Sequence, residues 1–214
     1  MLRDSKPKDY GGRNAQQSNG PVCDVPGCCG FARGVRSFGE RRVQHLGLSV
    51  GEEVTLGGEG GWDYFDVDPA TGNVFIPRGN HILVVDSSGK QVADIGNVHG
   101  THAIVFAPEL KRAFLSAEGS VAILDMEKMQ VFRGVELPGK DPDAILYDAS
   151  TKRVFTFNGG GTKDATAIDT GTGKVVGSIP LGGKPETARA DGDGHIYSER
   201  RGPESDRCLR FKKH

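Results

Sequence analysis

One stretch of this chain repeats itself, and that periodicity constrains the fold more than any single motif. Trp62-Asp63-Tyr64-Phe65-Asp66-Val67-Asp68-Pro69-Ala70-Thr71-Gly72-Asn73-Val74-Phe75 leads into Ile82-Leu83-Val84-Val85-Asp86. Thirty-nine residues on stand Phe106-Ala107-Pro108, Ala113-Phe114 and Val121-Ala122-Ile123-Leu124-Asp125. Forty-one further on come Tyr147-Asp148-Ala149 and Val154-Phe155, with Ala167-Ile168-Asp169 delayed by an inserted Gly159-Gly160-Gly161. A fourth unit opens at Pro185-Glu186 and reaches Ile196-Tyr197.

Each unit divides into four short apolar runs. In the first these are Tyr64–Val67, Val74–Ile76, Ile82–Val85 and Gln91–Ile95, separated by Pro-Ala-Thr-Gly-Asn, Arg78-Gly79-Asn80 and Ser87-Ser88-Gly89-Lys90. Val/Ile/Phe runs bounded by Gly, Asn, Asp and Ser read as antiparallel hairpins. The 32 glycines in 214 residues supply the turns such a chain needs. No apolar stripe of helical period and length competes. Four strands at a period near forty describe the blades of a β-propeller. The expected fold is therefore all-β, with four-stranded antiparallel blades over residues 53–197. That amounts to about three and a half blades, an incomplete ring. Asp68-Pro69, Ala107-Pro108 and Asp148-Ala149 should occupy equivalent turns.

The residues also resemble a known family. Val154-Phe155-Thr156-Phe157-Asn158 is similar to the "YVTN" strand of the YVTN, or YncE-like, β-propellers. Gly139-Lys-Asp-Pro-Asp-Ala144 and Gly183-Lys-Pro-Glu186 are similar to that family's blade openings. Asp169-Thr-Gly-Thr-Gly-Lys-Val-Val-Gly-Ser-Ile-Pro-Leu181 resembles its closing hairpin. The resemblance implies a seven-bladed propeller of exported proteins, periplasmic or secreted, with few activities assigned. It transfers no catalytic residues. The chain departs from the family in its ends: residues 1–50 are Gly/Arg/Cys-rich without the apolar stretch of a secretory signal, and 198–214 form a basic, divergent tail. These ends suggest a fragment. An arc left open would expose blade edges, so self-association through them is expected.

Charge narrows the partners. Residues 51–197 carry 13 Lys/Arg against 21 Asp/Glu, whereas 1–50 and 198–214 are basic. An acidic repeat region is a poor phosphate-binding surface, so nucleic acid is an improbable partner. No apolar run approaches the roughly 20 residues of a spanning helix. The cysteines, Cys23, Cys28, Cys29 and Cys208, lie outside the repeats and lack zinc-site spacing.

Aligned units place Asp63, His102, Asp143 and Glu186 at one equivalent position, the start of the first strand. The first strand of a blade lines the channel, so these residues should ring one mouth. Converging carboxylates with a histidine can bind a cation or a polar ligand. The competing reading has each side chain capping turn amides. Trp62 and Tyr64 flank Asp63; they can stack on a ligand, or, facing one side of a strand, pack between blades. His99-x2-His102 reads as a structural loop pair, Gly57-Gly58-Glu59-Gly60-Gly61 as an inter-blade loop, and Asp191-Gly-Asp-Gly194 as a hairpin turn. No nucleophile motif and no complete metal motif is present, and the residues do not identify a cofactor. The expectation is a non-catalytic binding or scaffold propeller that takes a small ligand or a protein at its mouth, through Trp62, Asp63, His102, Asp143 and Glu186. A metal- or quinone-assisted enzyme using the same carboxylates and histidine is the alternative, and single-stranded nucleic-acid binding a lesser one.

Overall fold

A computed structural model describes residues 49–201 and the backbone of 209–212. Gly51–His214 forms one compact unit, distinct from Met1–Val50. The N-terminal tail and all four cysteines lie outside the described residues.

The repeats fold as read. The first blade is β1 (Asp66–Val67), β2 (Val74–Pro77), β3 (Ile82–Val85) and β4 (Gln91–Ile95). The second is β5 (Ile104–Ala107), β6 (Arg112–Ala117), β7 (Ser120–Asp125) and β8 (Gln130–Glu136). The third is β9 (Pro142–Asp148), β10 (Arg153–Asn158), β11 (Asp164–Asp169) and β12 (Lys174–Pro180). Each is an antiparallel meander in chain order. The fourth holds β13 (Lys184–Ala190), β14 (His195–Arg201) and β15 (Leu209–Lys212).

Strand alternation builds the seams between blades, because successive side chains point to opposite faces. Phe75, Ile82 and Val84 of the first blade pack with Leu115 and Leu124 of the second. Phe114, Val121 and Ile123 take the opposite face and pack with Val154 and Ile168 of the third. Phe155 and Phe157 meet Ala188 and Ile196 of the fourth. A two-residue period on every central strand thus gives each blade two apolar faces.

The third and fourth strands share a repeated irregularity. The register slips at Val84/Val85, Ile123/Leu124 and Ala167/Ile168, which leaves Val92, Phe132 and Val176 as extra residues on the outer strand. All three are about half exposed, at 49%, 53% and 51%. A bulge strengthens the local twist of an edge and blunts it. Arg112 covers Phe132, its guanidinium carbon 5.5 Å from the ring centroid.

The turns explain why aspartate recurs. Asp68 accepts hydrogen bonds from the Ala70 amide (3.1 Å) and the Thr71 hydroxyl (2.6 Å). Asp148 repeats this with the Ser150 amide (3.1 Å) and Thr151 hydroxyl (2.7 Å). In the second blade the equivalent corner is a short 3-10 turn, Pro108–Leu110, because Ala107 brings no carboxylate. Asp86 just after β3, and Asp125 and Asp169 at the ends of β7 and β11, accept the amides of Ser88, Lys128 and Thr172. Asp191 does likewise for Asp193 and His195, the hairpin turn expected there.

Two features depart from the sequence pattern. Strand character read from sequence stops at Tyr197, yet β14 continues to Arg201 and pairs with β15 from His195↔Lys212 to Ser198↔Leu209. The alternation persists with polar residues: Ser198 is buried and Arg200 donates to the Leu181 carbonyl at 2.9 Å, while Tyr197 and Glu199 face outward. The second departure is a strap. Arg78 Nη2 donates to the Glu59 carbonyl at 3.1 Å, and Val54 lies so close to Gly89 that a Cβ there would come within 2.6 Å of it. Residues 54–60 therefore run along the first blade from one end of β3 to the other. Leu83 and Val85, which alternate with the seam residues Ile82 and Val84, are themselves only 5% and 4% exposed.

Candidate functional site

The first strands of all four blades face one open concavity of about 550 Å³, lined by Tyr64–Val67, Ala103–Phe106, Ala144–Tyr147 and Thr187–Arg189. Asp63, His102, Asp143 and Glu186 each stand at or just ahead of these segments. The structure brings all four together. His102 Nδ1 lies 2.9 Å from Asp63 Oδ2. One donor atom each from Asp63, His102 and Asp143 lie within 4.8 Å of one another. Lys184 Nζ joins Asp143 to Glu186, at 3.8 Å and 3.4 Å. Glu186 Oε1 is buried outside hydrogen-bonding geometry, but Lys184 and Arg201 (Nε at 3.3 Å) neutralise it.

Backbone contacts between blades hold this arrangement. The Tyr64 amide donates to the His102 carbonyl at 3.0 Å, which sets Asp63 against the imidazole. The buried Ser116 hydroxyl accepts from the Ala103 amide (2.9 Å) and donates to the Asp143 carbonyl (3.1 Å). One side chain on β6 thereby fixes the residues next to His102 and the backbone of Asp143. The inserted glycines have a role here too. A Cβ on Gly159 would come 2.7 Å from Lys184 Cε, and one on Gly160 would come 2.0 Å from Asp141 Oδ2.

The capping reading of these carboxylates can be compared directly with the turns. Asp68, Asp148, Asp86, Asp125 and Asp169 each accept a backbone amide. Among the described residues, Asp63, Asp143 and Glu186 accept none; their partners are the side chains of His102, Lys184 and Arg201. Burial pushes the Asp143 carboxyl above its ordinary range, opposed by His102 and Lys184 and reinforced by Asp63 and Glu186. The Tyr64 phenol is raised by burial first and then by Asp143, Asp63 and Glu186.

The flanking aromatics divide. Residues 62–64 precede β1 instead of extending it, so strand alternation does not govern them. Trp62 is 77% exposed and does not pack between blades; Tyr64 is 43% exposed and shares the electrostatics of the carboxylates. His99 stays in the connecting loop, where its carbonyl accepts the Glu118 amide at 2.8 Å. Sequence reasoning missed Lys184, Arg201 and Ser116. Lys184 had a signal, since it lies two residues before Glu186 on one strand and so on the same face. Ser116 and Arg201 had none, because their roles come from neighbouring strands.

No protein-family profile matches the sequence, and no curated relative matches it. Similar solved structures exist. The Kuenenia stuttgartiensis hydrazine synthase superposes with a TM-score of 0.56 at 17% identity, covering 65% of this chain and 44% of that chain. The WD40 β-propeller domain of Doa1 gives 0.56 at 13%, covering 65% and 47%. The dihydro-heme d1 dehydrogenase NirN, in complex with DHE, gives 0.52 at 15%, covering 71% and 38%. At such identities the likeness is one of fold: this chain is a β-propeller protein, and it spans less than half the length of each of these chains.

Proposed function

We propose that this chain is a binding propeller of the YVTN-like, exported kind, and that it takes a polar, electron-poor ligand at its mouth. One observation carries the reading: Asp63 and Asp143 converge on His102 from different blades, Lys184 ties Glu186 to them, and among the described residues none of the three carboxylates accepts a turn amide. Carboxylates gathered in this way repel one another, and a ligand bringing positive charge or hydrogen-bond donors relieves that cost. The recurrent blade openings and closing hairpin support the family and its exported character. The fold leaves the activity open, since the neighbours include a synthase, a dehydrogenase and a WD40 domain. An enzymatic reading draws on one feature, the Asp143 carboxyl near His102, which burial shifts upward, the direction a general acid needs.

The test is a thermal-shift panel on the full chain in the presence of a chelator, with polyamines, choline, polyols and dicarboxylates as probes. Polyamines or choline should raise the melting temperature of the wild type and not of Asp63→Asn/Asp143→Asn. If no class of probe acts, or if the shifts survive in the double variant, the mouth is not the site.

A further inference from the structure

We infer that Asp63, His102 and Asp143 form a binding site for a divalent first-row transition-metal ion. This rests on the mouth-binding reading and gives its ligand a chemical class. Three observations lead there.

The first is geometry. A metal of this group holds imidazole nitrogen and carboxylate oxygen at roughly 2.0–2.2 Å, so adjacent donors on one ion sit about 3 Å apart and opposite ones about 4 Å. His102 Nδ1 and Asp63 Oδ2 are 2.9 Å apart, and all three donors fall within 4.8 Å. The second is how the donors are delivered. Each comes from a different blade, and two inter-blade hydrogen bonds, Tyr64 amide to His102 carbonyl and Ser116 hydroxyl to Asp143 carbonyl, hold them. Among the described residues their side chains bond to each other and to Lys184, so a metal displaces no turn contact there. The third is donor type. Two carboxylates alone would suit magnesium, calcium or manganese; the imidazole adds a nitrogen donor that extends the set to iron, nickel, copper and zinc and favours a transition metal over magnesium.

Lys184 is the competitor. Its ammonium, 3.8 Å from Asp143 Oδ2, occupies part of the field a cation would use. It also has Glu186 at 3.4 Å, so it can stay paired after a metal arrives. The lysine therefore weakens metal binding, and removing it should strengthen it.

Manganese(II) is the probe, because it avoids the cysteines elsewhere in the chain. Metal-stripped full-length protein is titrated while free manganese is followed by electron paramagnetic resonance. The expected result is one ion per chain. Asp63→Asn, Asp143→Asn and His102→Gln should each weaken it at least about tenfold, the scale seen when even an outer-shell partner is lost. Lys184→Gln should tighten it by roughly three- to tenfold, through removal of one nearby like charge. A gain of binding cannot arise from misfolding, so this variant protects the test. Absence of saturable binding overturns the inference, as does binding indifferent to Asp143→Asn and His102→Gln or displaced by a tenfold excess of magnesium. If manganese fails while polyamines still bind with the chelator present, the metal assignment falls and the mouth reading stands. If neither binds, both fall.

Discussion

The outer turns and the mouth use the same residue type under opposite conditions. At the turns, Asp68 and Asp148 are 5% and 2% exposed, yet amides and hydroxyls within three residues satisfy them. At the mouth, Asp63 and Asp143 are more open to solvent but lack that local support and face other acids. A carboxylate whose partners are close in sequence belongs to the fold. One whose partners come from other blades is available to a ligand.

The largest effect should come at Asp164, in the third blade. It is 7% exposed and collects hydrogen bonds from Ser178, Thr162, Asn158 and Thr166. Asp164→Ala strands those donors and should cost about 3 kcal/mol in chemical denaturation. A loss below about 1 kcal/mol would show that the network contributes little.

Next comes Ser116→Ala, which cuts the hydroxyl link between the second and third blades. It should cost about 1–2 kcal/mol because it leaves the Ala103 amide unpaired in a buried site. It should also weaken manganese binding although the residue touches no metal. A change in stability without a change in binding would mean that Ser116 does not position the site.

Asp143→Asn should do the reverse of Asp164→Ala. It should change stability at neutral pH by no more than about 0.5 kcal/mol, or raise it, since burial already opposes the ionised form.

The pH dependences should separate the two carboxylates. Burial pushes Asp164 upward, but its four donors outweigh burial and hold it below the ordinary 3.8. Its contribution is therefore full above that value and is lost as pH falls through the depressed one. Asp143 is raised above 3.8, so its contribution is present below that value and lost as pH rises. Melting curves from acid to neutral pH should show Asp164→Asn removing part of the acid lability, and Asp143→Asn gaining on the wild type as pH rises. Parallel curves for both would erase the distinction.

The smallest effect belongs to the bulges. Val176→Thr, on a half-exposed outer strand, should stay within about 0.5 kcal/mol. A larger loss would mean that the bulge residue packs against something in solution.

The blades were legible in the residues because each hairpin is local. Alternating Val, Ile and Phe, with Asp and Gly at the corners, specify a strand and its turn within a dozen positions, and repetition specifies how they stack. The common position of Asp63, His102, Asp143 and Glu186 was legible for the same reason: equivalent places in a repeat become neighbours around an axis. The polar half of β14 was hidden, since Ser198 and Arg200 carry the inward period without apolar side chains. The strap of residues 54–60 was hidden as well, because it forms no ladder and is recognisable only by what it lies against. The all-β repeat, its turns and the chemical types gathered at the mouth all follow from the residues and their spacing. Packing between blades is what lets Lys184 bridge Asp143 and Glu186, lets Ser116 tie two blades, and leaves the mouth carboxylates capping no amide among the described residues. Those facts depend on how neighbouring strands and blades are placed, which packing sets and local propensity does not.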